Sequence, residues 1–191
     1  MIKDIERVKK GLQTVGISFS DIYDLVNTTE PYPEAIPVLI NLLKEGLTHD
    51  GVKEAIIRAL AVKEARGIAG SILIEEYFKI PEDKMLLRWA VGNTMEVVIT
   101  ENELESVLNI VKNKENGMSR QMFVVALGKV KSKRAELALI DLLNDDEVAA
   151  HALEALGVLK SKKAKIKITG LLNHTKPLIQ KEAQKALKKI G

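Results

Sequence analysis

The chain has 191 residues, of which 46% are hydrophobic and 29% charged, a composition typical of a folded domain and not of a disordered chain. It contains no cysteine, which excludes disulfides, a thiolate nucleophile and cysteine-ligated metal sites. The net charge of +3 conceals an asymmetry, because residues 160–191 carry ten lysines and a single acidic residue, Glu182, whereas the rest of the chain has an acidic excess.

The first 32 residues predict a helical cap. Ile2, Ile5, Val8 and Leu12 recur at three- and four-residue steps, the spacing of one face of an amphipathic helix, and residues 20–26 predict a short second helix. No long apolar stretch follows the charged first residues, and none anywhere in the chain approaches the ~20 residues that a membrane span needs. We therefore expect a cytoplasmic protein without a membrane segment.

From residue 33 onwards the chain repeats itself with a period near 30 residues. Each period contains a pair of adjacent aliphatic residues and, further on, an alanine followed by leucine or valine. Each period therefore predicts one hairpin of two helices, A and then B, with the alanine-leucine positions buried and the glycines that follow some of them allowing close helix packing. The aliphatic pairs are Leu42-Leu43, Ile72-Leu73, Ile110-Val111, Leu142-Leu143 and Leu171-Leu172, and the alanine ladder is Ala59-Leu60, Ala90-Val91, Ala126-Leu127, Ala155-Leu156 and Ala186-Leu187.

The segments RWAVGN (88–93), VALGKV (125–130) and DDEVAAHALEALG (145–157) resemble the HEAT-like repeats first recognised in phycobilisome lyases and found in many bacterial scaffold proteins. The resemblance implies an all-α fold, an α-solenoid with a right-handed superhelix of about five hairpins over residues 33–191, with the cap and repeats forming a single domain over 1–191. It also implies that the B helices line a concave binding face. Repeats of this family usually begin helix B with Asp-x-x-Val-Arg, and only Arg120 keeps the arginine, so the ladder of aspartate and arginine pairs is expected to be incomplete.

A candidate contact patch follows from the position directly before the ladder alanine. The residues there are mostly polar, which indicates a solvent-facing column, and one of them is Trp89, the only tryptophan. Tryptophan, arginine and methionine are enriched at protein interfaces. Alternatively, Trp89 packs beneath the extra residues 94–100. The predicted patch comprises Arg58, Met85, Arg88, Trp89, Asn93, Arg120 and Gln121.

We find no motif that predicts catalysis, a metal site or a cofactor. A nucleophile elbow, a P-loop and an HExxH segment are all missing from the sequence. His49-Asp50 superficially resembles the pair of the HD phosphohydrolases, but no further histidine is placed to complete a metal site, and we expect Asp50 to be a helix N-cap. The acidic residues 145–147 are likewise expected to cap a helix and to interact with its dipole.

These observations favour a non-enzymatic protein-binding scaffold or adaptor, or an immunity-type inhibitor, that presents a concave surface to a protein partner. The alternative is nucleic-acid binding or base excision, because HEAT-like DNA glycosylases place tryptophan and aspartate in their groove and Trp89 and residue 93 have the matching helical spacing. Asn93 is neutral, however, which disfavours that chemistry. Chromophore lyase or chaperone activity is implied by the family resemblance alone. We interpret the lysine-rich end as a solvated terminal cap, with a phosphate-contacting face as the alternative.

Overall fold

The computed structural model describes residues 1–191, and its regular elements are all helical, which confirms the all-α prediction. None of the helices is both long and apolar enough to span a bilayer. Short 3-10 turns separate several of the twelve α-helices, which are α1 (Ile2–Gln13), α2 (Asp24–Asn27), α3 (Ala35–Glu45), α4 (Asp50–Ala59), α5 (Gly70–Lys79), α6 (Met85–Val98), α7 (Leu104–Lys112), α8 (Gln121–Leu127), α9 (Lys133–Leu142), α10 (Ala149–Leu159), α11 (Lys165–Gly170) and α12 (Pro177–Ile190).

The chain divides into two compact units, residues 1–98 and residues 99–191. In the first unit, α3 with α4 and α5 with α6 form two hairpins, while α3 also packs on α5 and α4 on α6. Helix α1 packs on α3 and α2 on α4, so residues of the predicted cap contact the first hairpin. The predicted boundary after residue 32 and the predicted single domain over residues 1–191 stay predictions.

The repeat positions of the first unit are buried, and they lie on helices that each pack on the next helix of the same kind. Ala59-Leu60 and Ala90-Val91 are at most 1% exposed, and the aliphatic pairs at 42–43 and 72–73 are buried as well. The extra residues of the long repeat extend α6, a helix of 14 residues that continues to Val98. They therefore lengthen a helix and not a loop up to that point.

The start of α4 is stabilised by a residue far away in the sequence. Asp50 is the first helical residue and His49 precedes it as the cap residue without a side-chain cap bond, so the predicted N-cap role of Asp50 is wrong. Instead, Oδ2 of the buried Asp4 accepts hydrogen bonds from the Thr48 N–H, the Thr48 hydroxyl and the His49 N–H, at 2.8–2.9 Å. Burial alone would raise the pKa of Asp4, but these three donors outweigh it and the pKa is lowered.

The second unit consists of three hairpins, α7 with α8, α9 with α10 and α11 with α12. The B helices α8, α10 and α12 pack in a row, and small residues bring them close together. A methyl group on Gly128 would lie 2.8 Å from Cα of Ala155, and one on Gly157 would lie 3.2 Å from Cα of Ala186. The close helix packing that the ladder glycines predicted is therefore present at both positions.

Candidate functional site

Helix α6 presents one row of partly exposed residues above a buried face. Met85, Trp89 and Asn93 follow one another at four-residue steps and so share a face of the helix. Met85 is 42% exposed, and Trp89 and Asn93 are half-buried, whereas Ala90 and Val91 next to them are fully buried. We call Met85, Trp89 and Asn93 the α6 row. Its position at the surface agrees with the predicted solvent-facing column.

Arg58 occupies the equivalent position on α4, the helix that packs against α6. Glu54, one turn earlier, holds the Arg58 guanidinium with contacts of 2.8 Å to both Nε and an Nη atom, so the side chain is half-buried and lies along its own helix. The two helices are joined by the buried Thr94, whose hydroxyl lies 3.0 Å from the Ile57 carbonyl oxygen. This contact fixes α6 against α4 near the row.

Arg88 does not belong to the exposed patch, which corrects the prediction. It is only 5% exposed and lies between α5 and α6, where its guanidinium carbon is 4.4 Å from the ring centroid of Tyr77. Stacking on an aromatic ring stabilises a buried guanidinium, which is weakly hydrated compared with an ammonium group. The sequence contained a partial signal for this placement, because three of the four equivalent repeat positions, Ile57, Val124 and Leu153, are buried and apolar, whereas Gln184 in the last repeat is exposed.

Arg120, in the second unit, is also buried and serves the interior, a second correction to the predicted patch. Its side chain is 1% exposed and donates to the carbonyl oxygens of Val111 and Gly117 at 3.1 Å. It also pairs with Asp145 at 3.0 Å and with Glu147. Burial opposes ionisation of Asp145, but the hydrogen bond from Arg120 prevails and the pKa of Asp145 is lowered.

The acidic residues 145–147 therefore act mainly as partners of Arg120. Asp145 also accepts a weak bond from the Glu147 N–H at 3.2 Å, but α10 begins at Ala149 after the cap residue Val148 and has no side-chain cap bond, so the predicted capping by residues 145–147 is wrong. The ion pair of Arg120 and Asp145 joins two successive hairpins. Arg120 occupies the arginine position of the Asp-x-x-Val-Arg motif in one repeat, and Asp145 occupies the aspartate position in the next. Gln121, the remaining predicted residue of this unit, is half-buried and donates from Nε2 to the Glu147 carbonyl oxygen at 3.2 Å.

Two exposed apolar residues beside the α6 row were missed by the sequence reasoning. Leu86 is 81% exposed in the first turn of α6, and Phe78 is 60% exposed near the end of α5, the partner helix in the hairpin. Neither residue stood out in the sequence, because large apolar residues in helices are more often buried than exposed. With Met85 and Trp89 they give an apolar surface to the end of the hairpin where α5 leads into α6.

The far end of α6 borders a cavity of the same unit. Val97, four residues beyond Asn93, lines this cavity of about 300 Å³, whose charged lining residues are Glu30, Lys63 and Glu64. Burial and the negative charge of Glu64 raise the pKa of Tyr32, whose hydroxyl donates to the Ala59 carbonyl oxygen at 2.8 Å.

No group of three or more histidine, aspartate or glutamate side chains is arranged to hold a metal ion. His151, on α10, is half-buried with its Nδ1 buried and unpaired, and burial lowers its pKa despite the nearby Glu182. Asn93 of the α6 row carries a neutral amide.

No protein-family model and no curated protein matches the chain. Among solved structures, it is similar to the crystal structure of an engineered protein that was a target of the Northeast Structural Genomics Consortium. The two chains are 20% identical, the similarity covers 96% of each, and the TM-score is 0.52. A likeness at this identity concerns the fold alone, and it supports the all-α class.

Proposed function

We propose that this protein is a non-enzymatic scaffold or adaptor that binds a protein partner through the first half of α6. The observation that carries the proposal is the exposure of large apolar residues on that helix, where Met85, Leu86 and Trp89 lie together on one and a half turns. Large apolar residues that reach water side by side mark interaction sites, whereas scattered single ones need no explanation. Tryptophan and methionine are also residue types that interfaces favour.

The rigidity of the helix supports this role. The opposite face of α6 is fixed by the fully buried Ala90, Val91, Thr94 and Met95, and Arg88 stacks on Tyr77 within the same hairpin. A surface held in this way loses little conformational freedom when a partner binds, so more of the contact free energy appears as affinity. Arg58, which Glu54 holds beside the row, adds a fixed polar contact at its edge.

We also propose that the repeated hairpins form a HEAT-like α-solenoid with a right-handed superhelix. Stacking of equivalent helices supports this, since α4 packs on α6 in the first unit and α8, α10 and α12 pack in a row in the second. Small-angle X-ray scattering tests the proposal. We expect a radius of gyration clearly above the about 16 Å of a compact chain of this length, and a value at about 16 Å would contradict the solenoid.

The binding proposal is tested by the substitutions Met85→Ala and Trp89→Ala in one variant. Wild type and variant are used as bait in lysate of the source organism, the retained proteins are quantified, and any partner is then titrated against both in purified form. Loss of a central tryptophan at an interface costs about 2 kcal/mol or more, so we expect at least about tenfold weaker binding. Far-ultraviolet circular dichroism should show an unchanged melting temperature within a few degrees.

The matched control is Ile166→Ala, because Ile166 on α11 is 89% exposed and lies outside the α6 surface. This control should retain the partner at wild-type affinity. If the double variant binds as tightly as wild type, or if the control loses the partner to the same extent, α6 is not the contact surface and the proposed function loses its support.

A further inference from the structure

The second unit contains a cleft that the proposed contact surface on α6 does not use. A cavity of about 600 Å³ opens beside the turn between α8 and α9 and the end of α10. We call it the lysine cleft, and its main lining residues are Lys129, Lys131, Lys133, Glu136, Val158 and Leu159. This volume is within the range of clefts that hold small molecules or short peptide segments.

The lining is cationic. Lys129, Lys131 and Lys133 are all exposed; Lys129 is engaged in an interaction of its own, whereas Lys131 and Lys133 form no ion pair with a carboxylate. Glu136 is the one acidic residue of the lining, and it is engaged as an acceptor from the Ser161 hydroxyl at 2.6 Å. The surroundings reinforce this sign of charge, because residues 99–191 hold seventeen basic and eleven acidic residues.

The neighbouring turn repeats the same charged pattern. The segment Lys131-Ser132-Lys133 recurs 29 residues later as Lys160-Ser161-Lys162, and in both turns the serine hydroxyl accepts a backbone N–H of the helix start that follows. The bond from Ser161 to Glu136 joins the second turn to the helix that begins at the first. A second group of exposed lysines, Lys160 and Lys162, therefore lies beside the cleft.

One wall of the cleft is apolar. Val158 is 42% exposed and Leu159 half-buried, and both belong to the lining. The lining contains neither an aromatic residue nor an arginine, the groups on which nucleic-acid bases stack and which read base edges. A ligand that matches these walls has several negative charges and at least one apolar group.

We propose that the lysine cleft binds an acidic peptide segment of a protein partner, with Asp or Glu side chains at Lys131 and Lys133 and an apolar side chain against Val158. Charge complementarity of this kind accelerates association and selects against basic partners. The proposal goes beyond the function assigned to α6, because the cleft lies within the second unit and needs no residue of the first.

The test uses the full chain and fluorescence anisotropy. The probe is a fluorescein-labelled peptide of about twelve residues, mostly Asp and Glu with two Leu, and the salt concentration is about 150 mM so that unspecific attraction is screened. We expect saturable binding that Lys131→Glu with Lys133→Glu weakens about tenfold or more. The matched control is Lys181→Glu with Lys188→Glu, which reverses two exposed lysines of α12 and should change the affinity less than about twofold.

A peptide of the same length and charge without leucine should bind more weakly, and Val158→Asp should remove the difference between the two peptides. Because Lys131 and Lys133 are exposed, we expect the double variant to fold; if it does not, Lys131→Gln with Lys133→Gln replaces it. The proposal is overturned if the peptide does not bind, or if the cleft and control variants lose the same amount of peptide affinity. It is also overturned if a short DNA duplex or single strand binds more tightly at the same cleft. Binding by α6 is measured separately, so either proposal can fail without the other.

Discussion

The Gly128→Ala substitution tests the close packing of α8 on α10. The added methyl group would lie 2.8 Å from Cα, 3.0 Å from Cβ and 3.1 Å from the carbonyl oxygen of Ala155. These atoms belong to the backbone of a buried helix or are attached to it, so α10 has to move away. Overpacking of this kind costs about 1–3 kcal/mol. Alanine gains up to about 1 kcal/mol in helix propensity, since the φ of Gly128 is −66°, so we expect a net loss of about 1–2 kcal/mol.

Gly157→Ala is the matched control one repeat later. Its methyl group would lie 3.2 Å from Cα of Ala186 and 3.2 Å from Cδ of Lys189. The lysine end can swing aside and α12 needs to yield only a few tenths of an ångström, so crowding and helix propensity nearly cancel. We expect a change in the free energy of unfolding within about 0.5 kcal/mol of zero.

Urea unfolding followed by circular dichroism measures both variants, and hydrogen exchange of the α8 and α10 amides locates the loss in the second unit. The expected gap of about 1 kcal/mol or more corresponds to roughly 2–4 °C in melting temperature for a chain of this size. If Gly128→Ala is as stable as wild type, or if Gly157→Ala is the more damaging change, backbone crowding at Ala155 does not limit residue size at this ladder position.

Three further predictions concern the buried ionic groups and the end of the chain. Arg120→Leu should lower the free energy of unfolding by about 2–4 kcal/mol. The loss should be smaller than for a fully buried ion pair, because Asp145 and Glu147 keep some contact with water. NMR titration of this variant should show a higher pKa for Asp145 than in wild type. Asp4→Asn should cost about 1.5–3 kcal/mol at neutral pH. Folding lowers the pKa of Asp4, so the stabilisation by its carboxylate is present above about pH 3.9 and is lost as the pH falls through the folded-state pKa. The free energy of unfolding should therefore fall less steeply with decreasing pH in the variant than in wild type. Deletion of residues 160–191 uncovers the face of α10 that packs on α12 and should cause aggregation on size-exclusion chromatography; a monomeric, fully helical product would contradict this.

The helical class and the first four pairs of the buried ladder could be predicted from the sequence because they depend on local spacing, whereas Leu187 of the fifth pair is half-buried at the last helix. Ala90-Val91, Ala126-Leu127 and Ala155-Leu156 are at most 1% exposed, and a side chain larger than glycine at 128 would meet the neighbouring backbone. Positions that tolerate only small residues recur visibly in a sequence, since close packing of helices restricts the same position in every repeat.

The candidate site was predictable only in part, because the type of a side chain does not fix its direction. Arginine suggested an interface at positions 88 and 120, yet both guanidinium groups reach inward, one to Tyr77 and one to Asp145. Comparison with the equivalent positions of three other repeats, Ile57, Val124 and Leu153, would have placed Arg88 among buried residues. Asp4 gave no such signal, since it bonds residues 44 and 45 positions later and only the folded chain brings them together.

The location of positive charge matters more for recognition than its density along the chain. Several lysines of the basic end are used internally: Lys165 donates to the Gly191 carbonyl oxygen and Lys167 to that of Ile140, while Lys185 pairs with Glu182 on its own helix. These contacts hold the lysines against their own chain, the charge of Lys185 is partly offset by Glu182, and helix C-termini favour cations in any case. Lys131 and Lys133 lie outside the most basic segment, but they line a cavity with an apolar wall and pair with no carboxylate. We therefore expect charge reversal in the turn between α8 and α9 to affect binding of acidic ligands more than equal changes on α12.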